Sequence, residues 1–150
     1  MLWFLPKRLK KWCHHLDGST TTTCTNDDTY YKIGWTWTDW DECNDWFEYD
    51  GSWKITYTWS GRRFFLFNGT SDLKVSAAST ITYALYVNGV LVSNAQTPTT
   101  FVNTSKIGNI SITNIIPLNT WDYIEVYVKS SVAWVTVTHE TLFLTFLSDR

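Results

Sequence analysis

Cys13, His14 and His15 stand in a row, with Cys24 and Cys43 further along, and sulfur with imidazole is the donor set zinc prefers. Their spacing follows no zinc-ligand pattern, so the sequence assigns no metal. His139-Glu140 could pair a base with a carboxylate, but it falls between two strand-like runs and reads as a turn. Asp39, Asp41, Glu42, Asp45, Glu48 and Asp50 could hold Ca²⁺, yet they lack the spacing of known calcium loops. They read as a solvated acidic loop, or as a docking surface for a basic segment of a neighbouring chain. No nucleophile elbow, phosphate loop or metalloprotease motif occurs, and His14, His15 and His139 are the only imidazoles. The expectation is a protein with no catalytic residues and no cofactor.

The aromatic residues offer a different chemistry. In "SWKITYTWS", Trp53, Ile55, Tyr57 and Trp59 fall at every second position, with Lys54, Thr56 and Thr58 between them. Successive side chains of a strand point to opposite faces, so this is an aromatic wall backed by a polar one. Stacking on nucleic-acid bases needs Lys and Arg beside the rings. Lys54 is on the opposite face and Arg62-Arg63 lie past the strand's end, which points away from nucleic acid. The wall reads as core for one part and contact between subunits for the rest. Trp40 and Trp46, set in the acidic loop, are the better candidates for a sugar platform.

Composition bounds the rest. The 150 residues suit one domain with a sizeable core. Aromatic residues make up 17%, as do charged ones, so there is more bulky apolar surface than a lone small domain needs to hide. The net charge of -2 is unevenly spread. Residues 1–16 carry four basic side chains and no acid, whereas 17–50 carry nine acids against Lys32 alone. No basic patch marks the remainder as a nucleic-acid binder. Three cysteines, an odd number, fit free thiols in a reducing compartment rather than a disulfide framework. The acceptor triplets at Asn68, Asn103 and Asn109 are what chance gives in a chain so rich in Asn, Thr and Ser.

The first residues, "MLWFLPKRLKKWCHHL", put apolar residues before charge, the reverse of a secretory signal, and the apolar run is too short to span a bilayer. Leu2, Leu5, Leu9, Trp12 and Leu16 are spaced as one side of a helix, with Pro6 in its first turn. Residues 1–28 are therefore expected to form a docking arm and linker, and 29–150 the domain. An acidic protein surface ranks first among the arm's docks, ahead of a bundle of sister arms and a membrane. Leu2, Trp3, Leu5, Lys7, Arg8, Leu9, Lys10, Lys11 and Trp12 would make the contact.

After residue 28 almost everything reads as strand. Asn88-Gly89 in "ITYALYVNGVLV" can take the positive φ angles of a type I′ turn, which pairs Val87 with Val90 and Leu85 with Val92. That register would put Ile81, Tyr83, Leu85, Val87, Val90 and Val92 on one face. Pro98 and Pro117 are placed between strands. In "TLFLTFL", Leu142, Leu144 and Phe146 oppose Phe143 and Leu147, and in "WDYIEVYV" Ile124, Val126 and Val128 oppose Trp121, Tyr123 and Tyr127. Strands apolar on both faces must be covered on both. Short strands separated by turn residues make an all-β antiparallel jelly-roll sandwich, with one face of each sheet in the core and the other against a partner.

The ordered set "SGRRFFLF", "ITYALYVNGVLV", "IIPLNTWDYIEVYV" and "TLFLTFL" resembles the tumour-necrosis-factor-like and complement-globular-head jelly rolls, in particular their viral versions in phage fibres and capsid-associated proteins. The likeness covers Phe47 to Leu147. Asn88-Gly89 matches the family's hairpin, and Asp122, Ile124, Glu125 and Val126 match its "Gly-Asp-x-Ile-Glu-Val" strand, with Trp121 standing where that pattern has glycine. The resemblance implies a homotrimer packed about a three-fold axis, with Tyr57, Trp59, Tyr123, Tyr127, Phe143 and Leu147 as interface residues. The function expected is that of a viral structural protein, a trimeric fibre or decoration knob held on a capsid by its N-terminal arm. The alternative is a receptor- or glycan-binding module at a fibre tip, which would add a host-surface glycan to the partners. A cellular secreted trimer of the same fold is a third reading.

Overall fold

The computed structural model describes residues 10–16, 19–34, 37–39, 46–49 and 54–148, with the backbone alone for 10–16 and 37–39. Among these residues all regular structure is strand. One six-stranded antiparallel sheet runs β10 (Gly108–Leu118), β7 (Arg63–Val75), β12 (Val135–Ser148), β1 (Lys10–Leu16), β4 (Trp37–Asp39), with β2 (Thr20–Cys24) also on β12. The second runs β5 (Phe47–Tyr49), β6 (Ile55–Tyr57), β11 (Tyr123–Ser130), β8 (Ser79–Val87), β9 (Val90–Phe101), with β3 (Tyr31–Lys32) also on β11. The expected all-β antiparallel jelly-roll sandwich is what the chain forms.

Alternation builds the core. Phe65, Phe67, Leu73 and Val75 of β7 and Leu142, Leu144 and Phe146 of β12 point inward to meet Ile124, Val126 and Val128 of β11. Ile55 and Tyr57, the middle of the aromatic wall, are buried among them. Phe47, Tyr57, Phe65, Phe67 and Phe146 form a chain of aromatic contacts, with centroids 4.7 Å apart for Phe47 and Phe146 and 5.2 Å for Tyr57 and Phe65. Much of the aromatic content is thus spent on core, and Tyr57 is not an interface residue.

Several sequence expectations change. Residues 10–16 are a strand, not a helix, and Lys10 to His15 pair with Ser148 to Phe143 of β12. β2 continues along the same side of β12, from Thr20 opposite His139 to Cys24 opposite Val135. The sheet therefore begins by Lys10, inside the expected arm, because the open side of β12 offers a ladder of hydrogen-bonding groups that a strand satisfies and a helix cannot. Leu2 to Leu9 lie outside the described residues, whereas Lys10, Lys11 and Trp12 belong to the sheet.

The Asn88-Gly89 turn is as expected, with φ of 53° and 75° and Val87 opposite Val90. Val87 and Val92 pack against the core as the expected face requires, whereas Val90 is exposed, and the register shifts between Ala84 and Tyr86. Pro98 and Pro117 sit within β9 and β10 rather than between strands. Both strands are sheet edges, where the missing N–H leaves no ladder bond unmade. His139-Glu140 is no turn either. The pairing of β12 with β7 skips Glu140, a bulge within one long strand.

Gly108 opens β10 where the ring of Phe101 crosses it. A Cβ there would stand 2.2 Å from Phe101 Cε1, and the ring is held in the core. Gly108→Ala is expected to lower stability by about 1–3 kcal/mol through overpacking, measured by urea unfolding.

Candidate functional site

Among the described residues, a cluster of titratable and hydroxyl groups lies inside the sandwich. His139 is fully buried, with Nδ1 bonded to the Tyr83 hydroxyl and Nε2 3.3 Å from Thr22 Oγ1. Tyr83 also bonds Ser71 Oγ at 3.1 Å, and Ser71 donates to the carbonyl of Thr141 at 2.6 Å. Ser71 has one proton and gives it to that carbonyl, so Tyr83 must donate to Ser71. Tyr83 can then only accept from His139 Nδ1–H, which leaves Nε2 to accept from Thr22. One proton arrangement satisfies every group, with the imidazole neutral. Burial holds His139 at a pKa of about 3 and pushes the Tyr83 phenol up. These four side chains are shut off from solvent, so the cluster positions strands rather than meeting a substrate. The buried Cys24 thiol is likewise pushed up to about 11 by burial. Among the described residues no three His, Cys, Asp or Glu side chains come together to hold a metal.

The outer face of the first sheet is of another kind. β10, β7 and β12 are neighbours, with Ile115 opposite Leu66, Pro117 opposite Phe64, and Leu147 opposite Leu66 on the other side. All five point away from the core. Phe64 is 60% exposed and Ile115 64% exposed, and Leu66 is also exposed. The next rows are neutral and polar, with Asn68 accepting from Thr113 at 3.3 Å and Thr145 opposite Asn68. Phe143, exposed, lies opposite Thr70. The far rows are charged and self-paired. Asp72 accepts from Asn109 and Thr141 at 3.0 and 3.2 Å, and Lys74 meets Glu140 at 2.8 Å. The face thus grades from apolar, at the pole where β1 begins and β12 ends, to charged at the other.

The outer face of the second sheet covers its own aromatic side chains. Tyr86 and Tyr127 lie 4.1 Å apart, Tyr30 meets Tyr86 edge-on at 5.9 Å, and Lys54 Nζ stands 4.3 Å over Tyr123. Glu125 is buried between these rings, ion-paired with Lys32. Tyr123 and Tyr127 are therefore on the opposite side of the sandwich from Phe143 and Leu147. A three-fold contact can use both pairs only by setting the first-sheet face of one copy against the second-sheet face of the next.

The terminal pole carries Trp46, Trp59 and Trp121. Trp59 is exposed and stacks at 5.3 Å on Trp46, whose own ring is buried beneath the Arg63 guanidinium at 4.7 Å. Trp46 is buried, which removes it as an open sugar platform, and Trp40 lies outside the described residues. The loops here are fastened together. Asp122 accepts from Asn88 Nδ2 and from Asn119 N, each at 2.7 Å, and the hydrogen bonds hold its carboxyl below the usual range although burial opposes them. Trp121, 67% exposed, has φ of 75°, and its N–H donates to Tyr57 O. That left-handed conformation favours glycine, and a bulky residue adopts it at a cost of about 1–2 kcal/mol. At the other pole Trp134 does the same, with φ of 60°. Nothing in the spacing of either tryptophan announces this, although the displaced glycine at Trp121 hints at it.

No family model and no curated protein matches the chain. Among solved structures it is similar to mouse APRIL crystallised at pH 5.0, with a TM-score of 0.62 and 11% identity over 93% of this chain and 99% of that one. It is also similar to Eiger TNF from S. frugiperda, with a TM-score of 0.64 and 11% identity over 93% of this chain and 92% of that one. At such identity the likeness is one of architecture, and the fold is that of a tumour-necrosis-factor-like jelly roll.

Proposed function

We propose that the chain is a homotrimeric knob whose work is attachment and display, a viral structural protein carried on a capsid as a head fibre or decoration. The observation that carries the trimer is the apolar row Phe64, Leu66, Ile115 and Pro117 on the outer face of the first sheet, with Leu147 beside it. It is apolar and large-featured, with the Arg62 guanidinium over Phe64 at 5.3 Å as its charged border, and copies of the chain are the partners always present in equal amount. A contact between one copy's row and a different strip of the next closes into a ring about a three-fold axis. Burial of a few hundred Å² of apolar surface per subunit, at about 25 cal/mol per Å², outweighs association costs when the geometry repeats three times.

The virion role rests on the segment before β1. Lys7 and Arg8 with Leu2, Trp3, Leu5 and Leu9 combine charge and apolar bulk, and they lead into the pole that carries Trp59, Trp121 and exposed Arg62. Trp and Arg are the side chains that dominate protein contacts. In this reading the terminal pole faces an acidic capsid protein. Light scattering on the isolated chain tests the trimer, with three times 17.5 kDa expected. Removal of residues 1–9 should abolish co-sedimentation with the capsids on which the protein is carried while leaving that mass per assembled trimer otherwise intact. Loss of the trimer instead would overturn the assignment of those residues to docking.

A further inference from the structure

We infer that the pole opposite the start of β1 and the end of β12 is a binding site for neutral carbohydrate, with Trp134 as its platform. The turn from Ser131 to Trp134 joins the centre of one sheet to the centre of the other. It is held from below: Ser131 N donates to Thr80 O and Thr80 N to Ser131 Oγ, both at 3.0 Å, and Val132 N donates to Ser130 Oγ at 3.1 Å. Past the tryptophan, Thr136 N donates to Ser76 Oγ at 2.9 Å. The turn is therefore rigid before any ligand arrives.

On this fixed support Trp134 is held at φ 60° with three quarters of its surface, 75%, open to solvent. A left-handed backbone favours glycine, and an indole that stays in water recovers little of the strain through burial. The residue is badly chosen for the turn and well chosen for a contact outside it. Its surroundings decide the kind of contact. The loop held against this turn is 25–29, which follows Cys24 opposite Val135 and whose Asp28 N donates to Ser130 O at 2.8 Å. It exposes Asn26, Asp27 and Thr29, and the Tyr31 hydroxyl accepts from Asn26 N at 2.9 Å, which fixes that loop as well. Asp28 is ion-paired with Lys129 at 3.3 Å. A flat ring beside amide, hydroxyl and carboxylate groups matches the apolar face and hydroxyl rim of a pyranose, and the acidic side chains disfavour an anionic sugar. An apolar protein interface would call for a wider ring-lined surface than this pole offers.

The inference deepens the attachment reading, which anchors the pole where β1 begins and leaves this one outward. Each subunit carries a complete site, so carbohydrate binding and trimer formation fail independently. The probe is a printed array of neutral and acidic glycans, followed by titration of the full-length protein with the free oligosaccharide that binds best. The wild type should retain neutral glycans. Trp134→Gly should weaken binding by about tenfold or more, the loss of one stacked ring, while its melting temperature stays level or rises as the φ strain is released. Trp121→Gly, at the other pole, should leave binding unchanged. Retention of no neutral glycan by the wild type, undiminished binding by Trp134→Gly, or a melting temperature lowered by that substitution would each overturn the assignment. Light scattering on the same samples reports the trimer separately.

Discussion

Ile115→Arg is expected to turn a three-chain particle into single chains of 17.5 kDa, read as mass by light scattering at micromolar concentration. Ile115 stands in the apolar row beside Leu66, on the edge strand β10, and points away from the core. In a lone subunit the arginine would be solvated, so the folded chain should keep its circular-dichroism spectrum and unfold within about 0.5 kcal/mol of the wild-type subunit. In a trimer the same guanidinium would be buried against apolar side chains without a counter-ion. Taking a charge out of water unpaired costs several kcal/mol at each copy of the contact, and three copies share one assembly. A particle that stays whole would place the three-fold contact elsewhere, with the outer face of the second sheet as the remaining choice.

Acid should loosen the fold through one residue. His139 stays neutral in the sandwich down to a pH of about 3, whereas in the unfolded chain its imidazole takes up a proton near 6.5. Between those values the unfolded state binds more protons, so stability rises with pH there and falls as the solution is acidified. The slope is about 1.4 kcal/mol per pH unit, and the whole window amounts to roughly 4–5 kcal/mol by pH 3. His139→Gln keeps a donor toward Tyr83 and an acceptor toward Thr22 but does not titrate. Urea unfolding at pH 7, 5.5 and 4, at fixed protein concentration, should show the wild type losing more stability than the variant at each step down. Equal losses in both would mean that His139 charges without leaving the fold.

How much of this was legible in the sequence depended on how local each signal was. Asn88-Gly89 announced its hairpin because the turn chemistry sits in two adjacent residues. The doubled apolar pattern of "TLFLTFL" announced a strand with an exposed, bulky outer face, since alternation is also local. The strand character of Lys10 to Leu16 was invisible. Leu9, Trp12 and Leu16 have helical spacing, and what makes Lys10 to Leu16 extended is β12, more than a hundred residues away, whose open side that segment completes. Trp46 was misread for the same kind of reason, because its burial depends on Arg63 and Trp59 closing over it from another loop. The His139-Glu140 pair imitated a turn because a bulge and a turn share polar residues, and only the pairing with β7 tells them apart. The interface residues divided between two faces because alternation fixes parity along one strand but does not say which sheet the strand joins.

The pairing of Lys10 with Ser148 has a further use. Register partners in an antiparallel ladder have Cα atoms about 5 Å apart, so once residues 1–9 and 149–150 are removed a linker of a few residues could join the two and make the polypeptide a closed ring. New ends could then be cut at a surface turn, producing a circular permutant with the same strands in a different order. Such a molecule would carry its free ends, and anything grafted to them, wherever the cut is made, so the direction in which the knob points could be reversed without altering its interior.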